Sequence, residues 1–273
     1  MGGAQGDLPV TAESKLKSPA DLVDLRGRVV CISGAASGIG KAQVELFLDA
    51  GASVVALDID GVGLDRLYAS LPAFAERLLC KTVDLTVPEQ VDCAVAAGKQ
   101  AFGVIDTLCN TAGYLDGYAR SLDTAESLWD RVFEINVKAM YRLANALLPD
   151  MLERRSGVIV NMASIAGFQA GGGGVAYTSS KHAVIGFTRQ LSYDYGRSGI
   201  RVNAICPGMI ETAMTQDVLA DPESKLVKTL KRVPAARLGR PEDIACVALF
   251  LCGPGADFIH GAAMVVDGGL MVK

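Results

Sequence analysis

An apolar run, Val29-Val30-Cys31-Ile32-Ser33, leads without a break into Gly34-x-x-x-Gly38-x-Gly40, and a helical pattern continues to about Ala50. Few chain geometries satisfy that order. A short apolar run closed by glycine reads as a buried strand. Glycines at the turn let backbone N–H groups approach an anion at the amino end of the following helix. The spacing is not the generic G-x-G-x-x-G, and in isolation it also suits an ordinary strand-to-helix turn. Placed directly after a first strand, it favours an anion-binding loop.

The same order recurs along the chain. Ser53 to Leu57 reads as a second strand ending in Asp58, and Leu78 to Val83 as a third ending in Asp84-Leu85. Val104 to Cys109 is a fourth, followed by Asn110-Thr111-Ala112-Gly113, and Gly157 to Ala163 a fifth, followed by Ser164. Ile200 to Cys206, ending in Pro207-Gly208, and Ala262 to Val266 complete the set. Helical patterns cover roughly Thr124 to Arg155, the stretch from about Val175, and Pro241 to Cys252. The alternation predicts an α/β fold: a single doubly wound Rossmann-type domain, about seven parallel strands flanked by helices. Ligands of such sheets bind at the carboxyl ends of strands, where Gly34, Asp58, Asp84, Asn110, Ser164 and Pro207 all fall.

Composition narrows the classes. A chain of 273 residues that is half apolar, with 30 glycines, suits a well-buried core with many tight turns. A net charge of −4 argues against non-specific nucleic-acid binding. Seven cysteines form no Cys-x-x-Cys pair and several lie in apolar runs, so buried thiols are expected rather than disulfides or metal ligands. With two histidines, His182 and His260, no metal site is expected. The longest uncharged apolar run, near Ile244 to Cys252, is too short to span a bilayer. The amino terminus lacks the basic-then-apolar order of a signal peptide. A cytoplasmic protein without membrane or nucleic-acid partners is expected. Residues 1–25 read as a polar, mobile arm whose Leu22, Val23 and Leu25 can dock its last turn onto the domain formed by residues 26–273. Met214 to Ala236 reads as short helices able to close over a substrate.

Chemistry concentrates in Ser164 to Lys181. Tyr177 and Lys181, four apart on one helix, share a face. A free phenol, with a pKa of about 10, is a poor base near neutrality, and a nearby ammonium group favours its ionised form. Ser164, thirteen residues before Tyr177, can hydrogen-bond a substrate oxygen. A Tyr-x-x-x-Lys pair alone is common on helix surfaces. The strand-end serine and the upstream glycine turn separate this one from chance. Gly171 to Gly174 either widen the pocket or let chain segments approach closely.

Taken in order, Ser33-Gly34-Ala35-Ala36-Ser37-Gly38-Ile39-Gly40, Asn110-Thr111-Ala112-Gly113, Asn136, Ser164, Tyr177-Thr178-Ser179-Ser180-Lys181 and Pro207-Gly208 resemble the short-chain dehydrogenase/reductase family. The resemblance runs from about Arg26 to Leu270. It implies a dinucleotide on Gly34, Ser37, Gly38, Ile39 and Gly40, with adenosine contacts from Asp58, Ile59, Asp84 and Leu85. Asp84 and Thr86 read equally well as caps of a following helix. The resemblance further implies that Asn110, Ala112 and Gly113 pass close to the cofactor, that Tyr177 and Lys181 contact it, and that Pro207, Gly208, Ile210 and Thr212 bracket the nicotinamide. Asn136, Ser164, Tyr177 and Lys181 are the implied catalytic set, with Asn136 supporting a proton relay from the lysine. Ser33 and Thr111 depart from the family's usual Thr and second Asn. Asp58 accepts ribose hydroxyls and repels a 2′-phosphate, and neither Ser37 nor Ile59 is basic, so NAD is expected rather than NADP. The expected activity is hydride transfer between NAD(H) and a small-molecule substrate, a secondary alcohol or ketone, in a homotetramer. An NADPH-dependent 3-oxoacyl thioester reductase and a non-catalytic nucleotide sensor are the alternatives.

Overall fold

The computed structural model describes residues 18–212 and 225–272. Seven strands, β1 (Val29–Ser33), β2 (Ser53–Asp58), β3 (Leu78–Thr82), β4 (Thr107–Asn110), β5 (Gly157–Met162), β6 (Ile200–Pro207) and β7 (Ala263–Val266), form one sheet. Its order is β3-β2-β1-β4-β5-β6-β7, every neighbouring pair is parallel, and the doubly wound prediction holds. The helices are α1 (Gly38–Asp49), α2 (Gly61–Ser70), α3 (Pro88–Phe102), α4 (Glu126–Phe133), α5 (Ala139–Glu153), α6 (Val175–Tyr195), α7 (Lys225–Leu230) and α8 (Pro241–Cys252).

Every residue of β1, β4, β5 and β6 is buried, because helices cover both faces of a parallel sheet. The two-residue strand period divides the core. Val30, Ile32, Val54 and Ala56 face Phe47 and Leu48 of α1 and Ile244 and Ala248 of α8. Cys31, Val55 and Leu57 face the other way, with Val91 and Val95 of α3 and Leu143 and Leu147 of α5. Strand order reverses at β1, which pairs with β2 on one side and β4 on the other, so that a crevice opens at the carboxyl ends of β1 and β4.

Three local outcomes differ from expectation. The helix expected over 124–155 is broken: residues Glu134–Lys138 form a π turn between α4 and α5, and Asn136 lies inside it. Helix α2 was not expected at all. Asp84 caps no helix, because α3 starts one turn later with Pro88 behind Val87 and has no side-chain cap. The Asp84 carboxylate instead accepts from the Thr86 N–H (2.9 Å) and hydroxyl (2.7 Å).

Leu25 is fully buried in the α1/α8 layer, and Val23 packs beside it. The rest of the expected arm, residues 1–17, lies outside the described residues, as do Met214, Val218 and Leu219 of the expected closing segment. Among the described residues, no helix is long and apolar enough to cross a membrane.

Candidate active site

The carboxyl ends of the strands border a cleft of about 1160 Å³, larger than the common range for small-ligand pockets. One end is the glycine turn. Gly34 (φ +70°) passes so close to the segment after β4 that an added Cβ would stand 2.8 Å from the Ala112 Cα. A Cβ on Gly40 would strike the Gly34 carbonyl, and Gly38 has φ +51°. The Ser33 hydroxyl accepts from the Thr111 (3.0 Å) and Ala112 (3.2 Å) N–H groups, tying β1 to β4 at the switch point. Thr111, in place of an asparagine, donates its hydroxyl to the Gln43 side chain at 2.6 Å.

Asp58 closes β2. Its two oxygens accept from the Ala36 and Asp60 N–H groups, each at 2.9 Å, which fixes an acceptor-only group at the cleft edge. Ile59 beside it is 69% exposed. The Asp84 carboxyl is held below its usual range by the Thr86 hydrogen bonds, with Arg131 and Arg142 adding to the effect. Leu85, Ala112, Gly113, Pro207, Gly208, Ile210 and Thr212 line the same cleft.

Asn110 and Asn136 are not among the residues lining it. Asn110 donates to Asn161 (2.9 Å), which donates to Thr188 (3.0 Å), a buried polar thread joining β4, β5 and α6. The Asn136 amide accepts from the Tyr114 N–H (2.7 Å) and donates to the Tyr114 carbonyl and the Ser180 hydroxyl, both at 3.0 Å. The π turn explains this placement: it swings one helical residue out of register, a device common at functional sites. A Cβ on Gly113 would lie 3.6 Å from Asn136 Oδ1 and 3.7 Å from Lys181 Nζ, so these two side chains converge behind the cleft wall.

Ser164, Tyr177 and Lys181 form the opposite end of the cleft. Ser164 follows β5 and accepts from the Ala166 N–H at 3.1 Å. Tyr177 and Lys181 lie on α6, and the Lys181 ammonium donates to the Met162 carbonyl at the end of β5 (2.8 Å). That ammonium stands over the phenol ring, 5.4 Å from its centroid. Burial pushes the Tyr177 phenol up to about 12; the Ser164 hydroxyl works against this, and Tyr118 and Asp116 add to it. Burial also lowers Lys181 to about 8. The phenol is therefore raised where the lysine was expected to lower it, and Ser164 is the group that works against the rise.

Gly171 to Gly174 serve mainly close approach. Gly171 takes φ +94°; an added Cβ would press Gly172 against Ala166, Gly173 into the Tyr177 ring, and Gly174 against Ala119 and Asp116. Asp116 is the residue that sequence reasoning missed. Buried in the loop 113–120, it bonds to backbone 58 and 61 residues away, and no local pattern signals such a contact. Among the described residues, no group of three or more His, Cys, Asp or Glu side chains could hold a metal ion.

A family model described as enoyl-(acyl carrier protein) reductase matches residues 34–271. The chain belongs to the short-chain dehydrogenase/reductase family. It is 37% identical over 247 residues to 3beta-hydroxysteroid dehydrogenase 2 of Eggerthella lenta, covering 90% of this chain and 95% of that protein. It is 39% identical to 2-(R)-hydroxypropyl-CoM dehydrogenase of Xanthobacter autotrophicus, covering 88% of this chain and 97% of the other. A solved structure from Beutenbergia cavernae, assigned as an NAD(P)-dependent gluconate 5-dehydrogenase with NADP at low occupancy, superposes with a TM-score of 0.85. That pair is 33% identical, over 92% of this chain and 99% of the other. As a short-chain dehydrogenase/reductase the protein is an oxidoreductase of a family that uses nicotinamide cofactors. The glycine turn fits such a group, since it keeps side-chain atoms away from the α1 amino terminus at the positions where a Cβ would intrude.

Proposed function

We propose that this short-chain dehydrogenase/reductase interconverts a secondary alcohol and a ketone with NAD(H). The observation that carries the reading is the shared cleft: Tyr177, its phenol beside the Ser164 hydroxyl, faces the same space as the Gly34–Gly40 turn. When bound, the nicotinamide supplies the hydride acceptor or donor. The chain's own residues do the rest. Ser164 orients the substrate oxygen, Tyr177 Oη takes or gives the proton, and Lys181 stands beside it. Asn136, converging with Lys181 behind Gly113, supports the passage of that proton away from the cleft. Gly34, Ser37, Gly38, Ile39 and Gly40 cradle the pyrophosphate, and Asp58 and Ile59 receive the adenosine ribose. Asp84 and Leu85 take the adenine; Ala112 and Gly113 form the floor, which Asn110 steadies from behind through Asn161; Pro207, Gly208, Ile210 and Thr212 bracket the carboxamide.

Asp58 supports NAD over NADP, because a carboxylate at the ribose accepts hydroxyl hydrogens and repels a phosphate dianion. Seven unpaired thiols support a reducing, cytoplasmic setting. We further infer a homotetramer, supported by the exposed Tyr141 of α5 (54%) and Tyr193 of α6 (85%). Sedimentation at four times the 28.5 kDa chain mass is expected, and a monomer contradicts it.

The test is a panel of hydroxysteroids, short hydroxyalkyl thioethers, sugar acids, cyclic alcohols and 3-oxoacyl thioesters with the corresponding ketones or alcohols. Each is assayed by absorbance of reduced nicotinamide with both cofactors. Turnover with NAD(H) well above that with NADP(H) is expected. A strong NADP(H) preference overturns the cofactor assignment, and no transfer with any substrate overturns the activity.

A further inference from the structure

The helix that carries Tyr177 begins at Val175, and its N-cap position is Gly174, a residue with no side chain to cap it. An uncapped first turn leaves backbone N–H groups without partners. Here the missing acceptor comes from another loop. The Asp116 carboxylate, on a residue only 4% exposed, accepts from the Gly174 N–H through Oδ1 and from the Tyr177 N–H through Oδ2, both at 2.8 Å. Oδ1 also accepts from the Tyr118 N–H at 3.2 Å. The loop adds a third tie to the helix, the Val175 N–H donating to the Ala119 carbonyl at 3.1 Å. Gly117 (φ +65°) and Tyr118 (φ +61°) carry left-handed backbone, and for Tyr118 this is costly.

We propose that Asp116 is a positioning residue: its buried carboxylate caps helix α6 from a separate loop and sets where the Tyr177 phenol stands in the cleft. The inference rests on Tyr177 being the acid/base. A negative group at a helix amino terminus is favoured by the helix dipole, and bonding the backbone N–H of Tyr177 itself leaves little freedom at its Cα. Gly173 lies against the Tyr177 ring and Gly174 against Asp116 and Ala119, so the glycine run, the acid and the tyrosine form one packed unit. The charged or titratable groups facing the phenol are then Asp116 and Tyr118 from the loop and Lys181 from α6, with the Ser164 hydroxyl opposite.

The experiment compares Asp116→Ala, Asp116→Asn and Tyr177→Phe with the parent. Asp116→Ala should lower kcat roughly tenfold to a hundredfold, the scale of an ångström-sized misplacement. The dissociation constant for NADH should stay within about threefold. Amide exchange should rise at Gly174 to Tyr177 while the sheet stays protected. Asp116→Asn keeps one acceptor and loses the charge, so it should recover part of kcat and move the rising limb of the pH profile of alcohol oxidation to lower pH. Parental kcat in Asp116→Ala, or amide exchange unchanged at Gly174 to Tyr177, overturns the proposal. If Asp116→Ala does not fold, an Asp116→Asn enzyme with parental kcat and an unmoved profile overturns it equally. Full turnover by Tyr177→Phe would sink the acid/base reading instead, while the exchange result still decides whether Asp116 caps the helix.

Discussion

At the residue scale, burial rather than pairing sets the two titrating groups of the site. Lys181 falls from 10.5 to about 8 because its ammonium is taken out of water with a single backbone carbonyl as its hydrogen-bond partner. The folded protein therefore disfavours that proton, and the unfolded chain holds it more tightly. From this group, stability is lowest below pH 8 and rises as pH climbs from about 8 to 10.5. Lys181→Met keeps most of the stem and removes the charge. Its melting temperature should exceed the parent's at pH 7, while turnover collapses. The gap should narrow by on the order of 3 kcal/mol toward the upper end of that window, with the unpaired Met162 carbonyl offsetting about 1–3 kcal/mol throughout. Thermal melts of both proteins across the range check this, and a gap independent of pH would contradict it. The pair Tyr177 and Lys181 was legible in the sequence because four residues is one helical turn. Their titration was not legible, since helix spacing does not report burial or which face of the ring the ammonium meets.

At the element scale, the strands were readable because helices cover both faces of the sheet. Full burial turns β1, β4, β5 and β6 into apolar runs that turn residues bound sharply. Helix α2 carries Gly61 and Gly63 in its first turn, residues that weaken a helical pattern, although Asp60 caps it through the Gly63 N–H at 2.9 Å. The π turn escaped because one extra residue leaves the apolar stripe of 124–155 nearly continuous. The Asp84 cap was misplaced because an Asp-x-Thr turn and a helix cap use the same hydrogen bonds. The four glycines left two readings open, and side-chain contacts favour close approach. Gly173→Ala would drive a methyl group into the Tyr177 ring, so kcat should fall about a hundredfold, with about 1–3 kcal/mol lost in stability. Gly172→Ala, whose Cβ would meet only the Ala166 side chain and backbone edge, should cost far less. Steady-state kinetics and melts of the two variants decide this, and a fully active Gly173→Ala enzyme would refute the close-approach reading.

At the scale of the whole molecule, residues spread from Gly34 to Thr212 meet because a doubly wound sheet brings strand ends to one crevice. Whereas Ile210 and Thr212 were implied by the family resemblance, that convergence followed from the strand-turn-helix order for the strand-end residues Gly34, Asp58, Asp84, Ser164 and Pro207. The support behind it did not, because Asp116, Tyr114 and Ser180 act through contacts between distant segments. The account's central claim is that one cleft joins a dinucleotide to a phenol that moves the proton. Its most direct test is Tyr177→Phe, with NADH binding measured by fluorescence titration and turnover measured on the best substrate of the panel. The account predicts an NADH dissociation constant close to the parent's and turnover reduced by a factor of about 10²–10⁴. Parental turnover in that variant would contradict it.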